Sequence, residues 1–332
     1  MLQTNLNKCF TAYAYSVLTP DKVLESGFGG KTCENGEPID ENTLFDLASL
    51  TKPIVTATII AQFIAEERVS LSTKLSTLIQ GFDERITIGM LLNHTSGLPA
   101  WLPLYNAKSV DDALTFISKI KLEYEPGSKE VYSDLGYIVL GKVIELVSNS
   151  LEREAQKRVF DPLGMRNTRY KPDPKRAKIV LTETYDWREW GAGIVHDENC
   201  YFLGGITGHA GLFSCLKDLE LYACALLSDH KSVFPRRELF LDRSNVNIGG
   251  EHSYGWFIKT SLTGSFGTKC SEKTIGHTGF TGTGMWIDFE NKIASILLTN
   301  RVYFGRHNSE QILRIRRAFN DFAFSKLYLD KA

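Results

Sequence analysis

The sequence predicts an α/β (α+β) protein in which an antiparallel sheet is flanked by helices and interrupted by an inserted helical domain. Segments rich in Val, Ile, Tyr and Thr, which are typical of strands, occur near both ends of the chain. The middle of the chain carries helical periodicity between loops that contain Gly and Pro. We therefore expect an α/β sheet domain formed by residues 8–65 and 205–332, and a mostly helical inserted domain formed by residues 66–204.

Strand and turn signals define the expected sheet. Phe10–Leu18, followed by a Pro-Asp pair at 20–21, predicts a β-hairpin near the N-terminus. The C-terminal part of the chain predicts further strands at Tyr254–Thr260, Thr283–Phe289 and Lys292–Thr299. An amphipathic pattern over Glu310–Tyr328 predicts a final helix. Together these segments bring both ends of the chain into one sheet.

One predicted helix bears most directly on chemistry. Apolar residues recur at helical spacing from Ile54 to Ala65, which predicts a helix that starts near Ser49 and ends near Arg68. Pro53 is tolerated only in the first helical turn, because it has no N–H and would break the hydrogen bonding of a helix interior. The proline therefore restricts the start of the helix to Ser49.

The middle of the chain predicts shorter helices and one long irregular segment. The helices are expected at Ile88–Leu92, Val110–Lys119, Tyr137–Val147, Leu151–Val159 and, after the irregular segment, Leu216–Leu227. Residues 170–211 show little periodicity. Loops of this length are usually functional, so substrate specificity is expected to reside there.

Charge and composition exclude several classes of function. The 332-residue chain has 38 basic and 39 acidic side chains and a net charge of −1. No field of one sign would attract nucleic acid or an anionic membrane surface, so neither is expected as a partner. The longest apolar run, Pro53–Ala65, is shorter than the ~20 residues that cross a bilayer, so no membrane span is expected. The sequence does not fix the oligomeric state, and it is compatible with a monomer.

The cysteines bear on the cellular compartment. The chain has 6 cysteines and no Cys-x-x-Cys pair, so neither a zinc ribbon nor a redox motif is predicted. Several lie within apolar runs, which is typical of reduced core residues and favours the cytoplasm. Residues 12–14 have the small-x-small pattern of a signal-cleavage site, but Lys8 leaves no room for a hydrophobic core before them. A cytoplasmic location is expected, with a periplasmic or secreted one as the alternative.

A Ser-x-x-Lys motif carries the first chemical signal. Ser49 and Lys52 are three residues apart, which places a hydroxyl and an amine on one face of the predicted helix. The positive end of the helix dipole lies at Ser49. A serine hydroxyl is a poor nucleophile until an adjacent base activates it, and Lys52 is placed to be that base or to lower the pKa of another one. The motif alone is common, and its simpler interpretation is a helix cap followed by a solvated lysine.

Two further motifs favour the catalytic interpretation. Tyr132-Ser133-Asp134 precedes the helix predicted at Tyr137–Val147, and His277-Thr278-Gly279 precedes a predicted strand. With these motifs the sequence resembles the penicillin-recognising serine hydrolases. This family includes class C β-lactamases, penicillin-binding proteins that act as DD-peptidases, family VIII esterases and muramyl-peptide amidases. In it, a Ser-x-x-Lys helix, a Tyr-Ser/Ala-Asn motif and a Lys/His-Thr/Ser-Gly strand meet at one cleft.

The resemblance implies a role for each matching residue. Ser49 would be the nucleophile that becomes acylated, and Lys52 would keep it activated. Tyr132 would be the general base and later the acid that protonates the leaving group. The backbone N–H groups of Ser49 and Phe280 would form the oxyanion hole. For Tyr132 to act near neutral pH, nearby cations such as Lys52 and His277 would have to lower its pKa.

Two residues depart from the family pattern. Asp134 stands where the family often has Asn, and a carboxylate beside Lys52 favours the charged ammonium. This departure makes Tyr132 the better candidate for the base. His277 stands where many β-lactamases have Lys, and a histidine is only partly charged near neutral pH, so efficient β-lactamase activity is not expected. If His277 holds a substrate carboxylate, KM should rise as the pH passes ~6.5.

Other side chains have more than one interpretation. Thr278 and Gly279 would line the strand that binds substrate, and Gly279 would allow a close backbone approach. Arg301 is either a structural ion-pair partner or a clamp for a substrate carboxylate. For His196, Asp197 and His209, a role in loop shaping or substrate contact is favoured over metal binding, because the sequence has no paired spacing of metal ligands. Neither a metal nor an organic cofactor is expected.

The expected function is hydrolysis of an amide or ester through an acyl-enzyme. Thr182-Glu183, Trp187-Arg188 and residues 195–199 resemble a bacterial subgroup that includes cell-wall-fragment amidases. A bacterial cell-wall peptide or muropeptide is therefore the first choice of substrate. The enzymatic alternatives are a small-ester esterase and a weak β-lactamase. The non-enzymatic alternative is a catalytically silent sensor of peptidoglycan or β-lactams, which would have no chemical need for an intact Ser-Lys-Tyr set.

Overall fold

The computed structural model describes residues 1–183, 190–261 and 264–329, and its largest element is a six-stranded antiparallel sheet. The strands of the protein are β1 (Ala12–Leu18), β2 (Val23–Gly30), β3 (Phe45–Asp46), β4 (Arg169–Tyr170), β5 (Leu212–Ser214), β6 (Phe257–Ile258), β7 (Thr274–Thr278), β8 (Gly284–Asp288) and β9 (Ile293–Thr299). The large sheet has the order β2-β1-β9-β8-β7-β6, and a second sheet has the order β3-β5-β4.

The large sheet joins the two ends of the chain. Strand β1 lies between β2 and β9, with Ala14 opposite Phe28 on one side and Leu298 on the other. The predicted fold class, an antiparallel sheet with flanking helices, is confirmed. One hydrophobic core runs from the sheet through Ile59 to Leu140 in the middle of the chain. The division of the chain into residues 8–65 with 205–332 and residues 66–204 stays a prediction.

The residue pattern did not predict strand β7, and only the family resemblance implied a strand at His277-Thr278-Gly279. The segment Thr274–Thr278 is itself the strand, and it pairs with β8 on one side and β6 on the other. Its sequence shows no alternation of apolar and polar residues, since it is buried on both faces. Gly276 is required there, because a Cβ would lie 2.3 Å from Cδ1 of Trp286.

Most helices agree with the sequence pattern except at their ends, but Leu2–Asn5, Asp161–Leu163 and Glu198–Phe202 were not predicted. They are α1 (Leu2–Asn5), α2 (Thr58–Ala65), α3 (Ile88–Leu92), α4 (Val110–Ser118), α5 (Asp134–Ser148), α6 (Leu151–Ala155), α7 (Asp161–Leu163), α8 (Glu198–Phe202), α9 (Leu216–Leu227) and α10 (Ser309–Leu329). Helix α5 begins at Asp134 rather than at the predicted Tyr137. The reason is a side-chain cap, since Ser133 Oγ accepts a hydrogen bond from Gly136 N at 3.2 Å.

The predicted helix at Ser49 is confirmed and has three parts. It starts as a 3₁₀ turn at Ala48–Leu50, continues as a π-helical segment at Lys52–Ala57 and ends as α2. Irregular helical geometry of this kind is frequent at functional sites. The stretch Ala48–Ala65 is long and apolar enough to cross a bilayer, but 89% of it is buried inside the fold, as in a core helix.

The small sheet fixes the chain just before this helix. Strand β3 pairs with β5, with Asp46 opposite Phe213. The Asp46 carboxylate then accepts a hydrogen bond from Ala48 N at 2.8 Å. Ala48 has a φ of +46°, which is uncommon for a residue with a Cβ and marks a sharp turn into the helix. Strands of two or three residues give no periodic signal, so this sheet was not predicted.

Candidate active site

The Ser-x-x-Lys motif brings its two functional groups into direct contact. Lys52 Nζ donates a hydrogen bond to Ser49 Oγ at 2.9 Å, so the expected arrangement on one helical face is confirmed. Lys52 Nζ also donates to the backbone oxygen of His209 at 3.2 Å. The Lys52 side chain is fully buried, while Ser49 is half-buried at the base of a cleft. The solvated lysine of the simpler interpretation is therefore wrong.

Asp134 sets the charge state of Lys52. Its carboxylate oxygen Oδ1 lies 2.6 Å from Lys52 Nζ. Burial alone would lower the pKa of Lys52, but the Asp134 carboxylate and the Tyr132 phenol raise it above its usual range. Lys52 is therefore an ammonium at neutral pH. It can donate hydrogen bonds to Ser49, but it has no free lone pair to take a proton from it.

Tyr132 lies on the wall of the same cleft, and Lys52 Nζ is 4.9 Å from the centre of its ring. Burial raises the pKa of the Tyr132 phenol above its usual value, and Asp134 adds to this rise. The positive charge of Lys52 and hydrogen bonding with Lys52 and Ser49 act in the opposite direction without cancelling it. Lys52 therefore lowers the pKa of Tyr132 as the expected role requires, but in the free protein burial outweighs this effect and the net pKa stays above its usual value.

The loop that follows α3 holds Tyr132 in place. Ser133 N donates to His94 Nδ1 at 3.0 Å, and the His94 ring lies 4.6 Å from the Tyr132 ring. Ser133 Oγ donates to Pro99 O at 2.6 Å, and Asp134 N donates to Ala100 O at 2.9 Å. The backbone on both sides of the phenol is thus fixed, which orients its ring toward the cleft.

The turn between β7 and β8 is held against the start of the Ser49 helix. Thr281 Oγ1 donates to Asp46 O at 2.7 Å, and Thr283 Oγ1 donates to Leu47 O at 3.1 Å. Phe280, at the tip of this turn, lines the cleft together with Ser49. The two backbone segments that carry the predicted oxyanion-hole donors are therefore joined by direct hydrogen bonds.

Three predicted substrate contacts are not on the cleft wall. His277 is 1% exposed, and its Nε2 has no partner among the described residues. Burial and the charge of Lys52 hold the pKa of His277 well below its usual value, so the ring is neutral and cannot act as a cation for a substrate carboxylate. Thr278 is half-buried at the end of β7, and Gly279 is buried. The close approach at Gly279 is to the protein itself, since a Cβ there would lie 2.4 Å from Leu47 O.

Arg301 is structural, and the clamp interpretation is wrong. It is 4% exposed, and its Nε donates to Phe280 O at 2.8 Å. Its Nη1 donates to Asn308 Oδ1 at 3.1 Å. It forms no ion pair within the parts of the chain that the structure describes, so the alternative of an ion-pair partner is also wrong. Its hydrogen-bond partners are backbone, amide and hydroxyl oxygens.

The cleft encloses about 330 Å³ and contains residues that the sequence patterns did not single out. Trp101, Glu198 and Arg306 all line it. Arg306 pairs with Glu198 at 2.6 Å and with Glu183 at 2.8 Å. Of these three residues, only Glu198 lies in a segment that resembles the family, residues 195–199, and Trp101 and Arg306 had no such signal.

The histidines of the long loop shape the other side of the cleft. His196 Nε2 lies 2.9 Å from Glu183 Oε2, and His209 Nε2 lies 2.8 Å from Asp197 Oδ1. Burial would raise the pKa of Asp197, but the paired His209 lowers it strongly. Within residues 1–183, 190–261 and 264–329, no group of three or more His, Cys, Asp and Glu side chains could hold a metal ion. Trp187-Arg188 lies outside the described residues.

Comparison with known proteins identifies the family. The family model described as β-lactamase matches residues 8–318. The chain belongs to the β-lactamase family. This hydrolase is 32% identical to a protein named "Putative D-alanyl-D-alanine carboxypeptidase" from Salmonella enteritidis PT4, over 78% of this chain and 70% of that protein. A protein of the same name from Salmonella typhimurium is 31% identical over the same shares. The protein is a serine hydrolase of this family.

Solved structures show the same fold at low sequence identity. EstCE1, described as a hydrolase with promiscuous acyltransferase activity, superposes with a TM-score of 0.76 at 20% identity and covers 96% of both chains. The octameric penicillin-binding protein homologue from Pyrococcus abyssi gives 0.74 at 22% identity, over 99% of this chain and 75% of that one. The β-lactamase/D-alanine carboxypeptidase from Yersinia pestis gives 0.71 at 19% identity, over 95% of both.

Proposed function

We propose that this β-lactamase-family hydrolase cleaves an amide bond in a bacterial cell-wall peptide or muropeptide through an acyl-enzyme on Ser49. The observation that carries the proposal is the contact of Lys52 Nζ with Ser49 Oγ at 2.9 Å, beside the Tyr132 phenol. The relatives' name, D-alanyl-D-alanine carboxypeptidase, supports a substrate built from cell-wall peptide. An intact Ser-Lys-Tyr set argues against a catalytically silent sensor.

Acylation starts with attack of Ser49 Oγ on the carbonyl carbon of the substrate. The Ser49 proton passes to Tyr132, which must be a phenolate at that moment. Lys52 remains an ammonium and stabilises both the phenolate and the developing alkoxide, because Asp134 keeps it charged. The N–H groups of Ser49 and Phe280 bind the tetrahedral oxyanion. The phenol of Tyr132 then gives its proton to the leaving amine, and the acyl-enzyme is formed.

Deacylation repeats these steps with water. The Tyr132 phenolate takes a proton from a water molecule that occupies the place of the departed amine. The resulting hydroxide attacks the ester carbonyl, and Tyr132 returns the proton to Ser49 Oγ. Because both steps need the phenolate, and burial raises the pKa of Tyr132, activity should increase toward alkaline pH.

The buried His277 and Arg301 affect the choice between peptide substrates. Neither is available to bind a free carboxylate next to the scissile bond. A muropeptide amide without such a carboxylate is therefore favoured over a terminal D-alanyl-D-alanine. The same observation favours a small-ester esterase as the second candidate and argues against efficient β-lactam hydrolysis.

A substrate panel tests the proposal. Wild type and Ser49→Ala are assayed against muramyl peptides, a peptide ending in D-alanyl-D-alanine, a β-lactam and p-nitrophenyl esters. We expect the highest kcat/KM for a muramyl peptide and no turnover by Ser49→Ala. Cleavage of esters alone would select the esterase alternative. Full activity of Ser49→Ala would refute the mechanism.

We also propose that the enzyme works in a reducing compartment, the cytoplasm. No disulfide bond forms among the described residues, which include every cysteine of the sequence, and Cys9, Cys200 and Cys215 are buried as small core residues. In the cytoplasm the substrate would be an imported fragment of the cell wall rather than the intact polymer. Fractionation of cells that express the protein checks this, and recovery from the periplasm would contradict it.

A further inference from the structure

A buried arginine on α10 contacts the backbone of the catalytic turn from behind. Arg316 lies in the interior, and its Nη2 donates to both Gly279 O and Thr283 O at 2.8 Å. Gly279 O also accepts from Gly282 N at 3.1 Å. Gly279, Gly282 and Thr283 belong to the turn between β7 and β8, and Phe280 is at the tip of this turn. The guanidinium therefore lies on the side of the turn opposite the cleft.

No acidic side chain among the described residues holds the Arg316 guanidinium in its position behind the turn. Within the described residues Arg316 forms no ion pair, and its Nε has no hydrogen-bond partner. Burying an arginine without a carboxylate costs free energy, so the contacts that it does make are expected to matter. Burial, together with the nearby charge of Arg301, lowers the pKa of Arg316 to about 9, so it is still charged at neutral pH.

The carbonyl that Arg316 binds belongs to the peptide unit whose other end is Phe280 N–H. The C=O and N–H of a trans peptide point in opposite directions in one plane. With Gly279 O fixed toward the core, Phe280 N–H must point away from α10, toward the cleft that Phe280 lines. Within the described residues, this N–H donates to no protein acceptor. A positive charge on the carbonyl also polarises the peptide and strengthens its N–H as a donor.

Arg301 fixes the next peptide in the same way. Its Nε donates to Phe280 O at 2.8 Å, and its guanidinium lies 4.4 Å from the centre of the Phe280 ring. Both peptide groups that flank the Phe280 Cα are therefore held by guanidinium groups from the core side. The hydrogen bonds of Thr281 and Thr283 to residues 46 and 47 fix the same turn relative to Ser49.

We propose that Arg316, assisted by Arg301, is a positioning residue of the oxyanion hole: it aims and polarises the Phe280 N–H that receives the transition-state charge. This inference rests on the proposed function, since it requires acyl transfer at Ser49. It assigns to α10 an effect on the chemical step, although Arg316 contacts the turn from the side opposite the cleft.

Arg316→Lys tests the inference, with Arg314→Lys as the control. Lys keeps the charge, but its side chain ends one bond short of Nη2, the single atom of Arg316 that donates to both carbonyls. Arg314 lies on the same helix, is 80% exposed and pairs only with Glu310 among the described residues. Loss of one oxyanion donor lowers kcat by about 10²–10³-fold. A weaker Phe280 N–H donor should lower kcat by roughly 10-fold or more, with KM within about 2-fold of wild type. Here kcat is expressed per acylatable site, that is, per molecule whose Ser49 can be acylated. Arg314→Lys should behave as wild type.

Two readouts separate positioning from a merely structural role. The affinity of a boronic acid transition-state analogue should fall by the same factor as kcat. The infrared carbonyl stretch of the acyl-enzyme should move to higher frequency, because the oxyanion hole donates a weaker hydrogen bond. Unchanged kcat per acylatable site and unchanged analogue affinity, with only a lower Tm, would overturn the inference.

The outcome can be separated from failure of the proposed function. Ser49→Ala is assayed in parallel, and retained activity there would refute the proposed function itself. An inactive Ser49→Ala with wild-type kinetics in Arg316→Lys would refute only the positioning role. If Arg316→Lys does not fold, Arg301→Lys supplies the same comparison at Phe280 O, and a wild-type kcat per acylatable site in that variant would overturn the inference.

Discussion

Replacing Asp134 by Asn should move the activity of the enzyme to lower pH. The Asp134 carboxylate lies 2.6 Å from Lys52 Nζ, and its charge raises the pKa of both Lys52 and Tyr132. Catalysis requires the Ser49, Lys52 and Tyr132 group to lose one proton, which a nearby negative charge opposes. Asn keeps the shape of the side chain and an acceptor oxygen for Lys52 but removes the charge. The active form should then be populated at lower pH.

The size of the shift follows from the distance and the exposure. Two unit charges 2.6 Å apart interact by roughly 6 kcal/mol at an effective dielectric constant of about 20. The Asp134 side chain is 19% exposed, and water screens part of this interaction. The proton that is lost comes from Tyr132, and a neighbouring charge such as that of Asp134 shifts a pKa by about 1–3 units in proteins. We therefore expect the acidic limb of the kcat/KM profile to move down by about 1–3 units, which is roughly 1.4–4 kcal/mol.

The assay is kcat/KM against pH for wild type and Asp134→Asn, with a chromogenic amide or ester that both hydrolyse. Below the midpoint of the wild-type limb, the variant should be faster by about 10-fold or more. The control is Asp111→Asn, which removes an exposed acid from the first turn of α4 and should leave the profile unchanged. An acidic limb that stays in place, or that moves to higher pH, would show that the Asp134 charge does not control the catalytic proton.

Further predictions concern the other members of the site. Tyr132→Phe should lower kcat/KM by about 10²–10⁴-fold in steady-state assays, because the general base is lost while the aromatic ring remains. An unchanged kcat/KM would show that another residue is the base. KM should stay constant as the pH passes ~6.5, because burial keeps His277 neutral, and a rise there would return a cationic role to this residue. His277→Lys should lower the free energy of unfolding in urea by about 3–5 kcal/mol, since it buries an unpaired ammonium, and a stability equal to wild type would contradict the burial described.

The helix and its Ser-Lys pair could be predicted because the information is local. The apolar spacing from Ile54 to Ala65 and the position of Pro53 restrict where the helix begins, and a spacing of three residues brings Ser49 and Lys52 together. Most other helices and the terminal strands were predicted for the same reason. Tyr132 is different, because no local rule connects it to Ser49. It was found only through the resemblance of three motifs to a known family.

The remaining features depend on contacts between distant segments. His277 and Arg301 have residue types suited to bind a carboxylate, but the packing of β7 and of the turn after β9 buries both. The pKa of Tyr132 was expected to fall beside Lys52, and burial reverses the direction. Arg306 reaches the cleft only because it follows this turn, next to Glu183 and Glu198. Burial at single positions is a property of the assembled core, which local patterns do not specify.

Mass spectrometry of a trapped acyl-enzyme tests the central claim most directly. The protein is mixed with substrate, quenched in acid within the time of one turnover, and its intact mass and proteolytic peptides are measured. We expect an added mass equal to the acyl part of the substrate, carried by the peptide that contains Ser49 and absent from Ser49→Ala. An adduct on a different residue, or rapid turnover by Ser49→Ala, would contradict it.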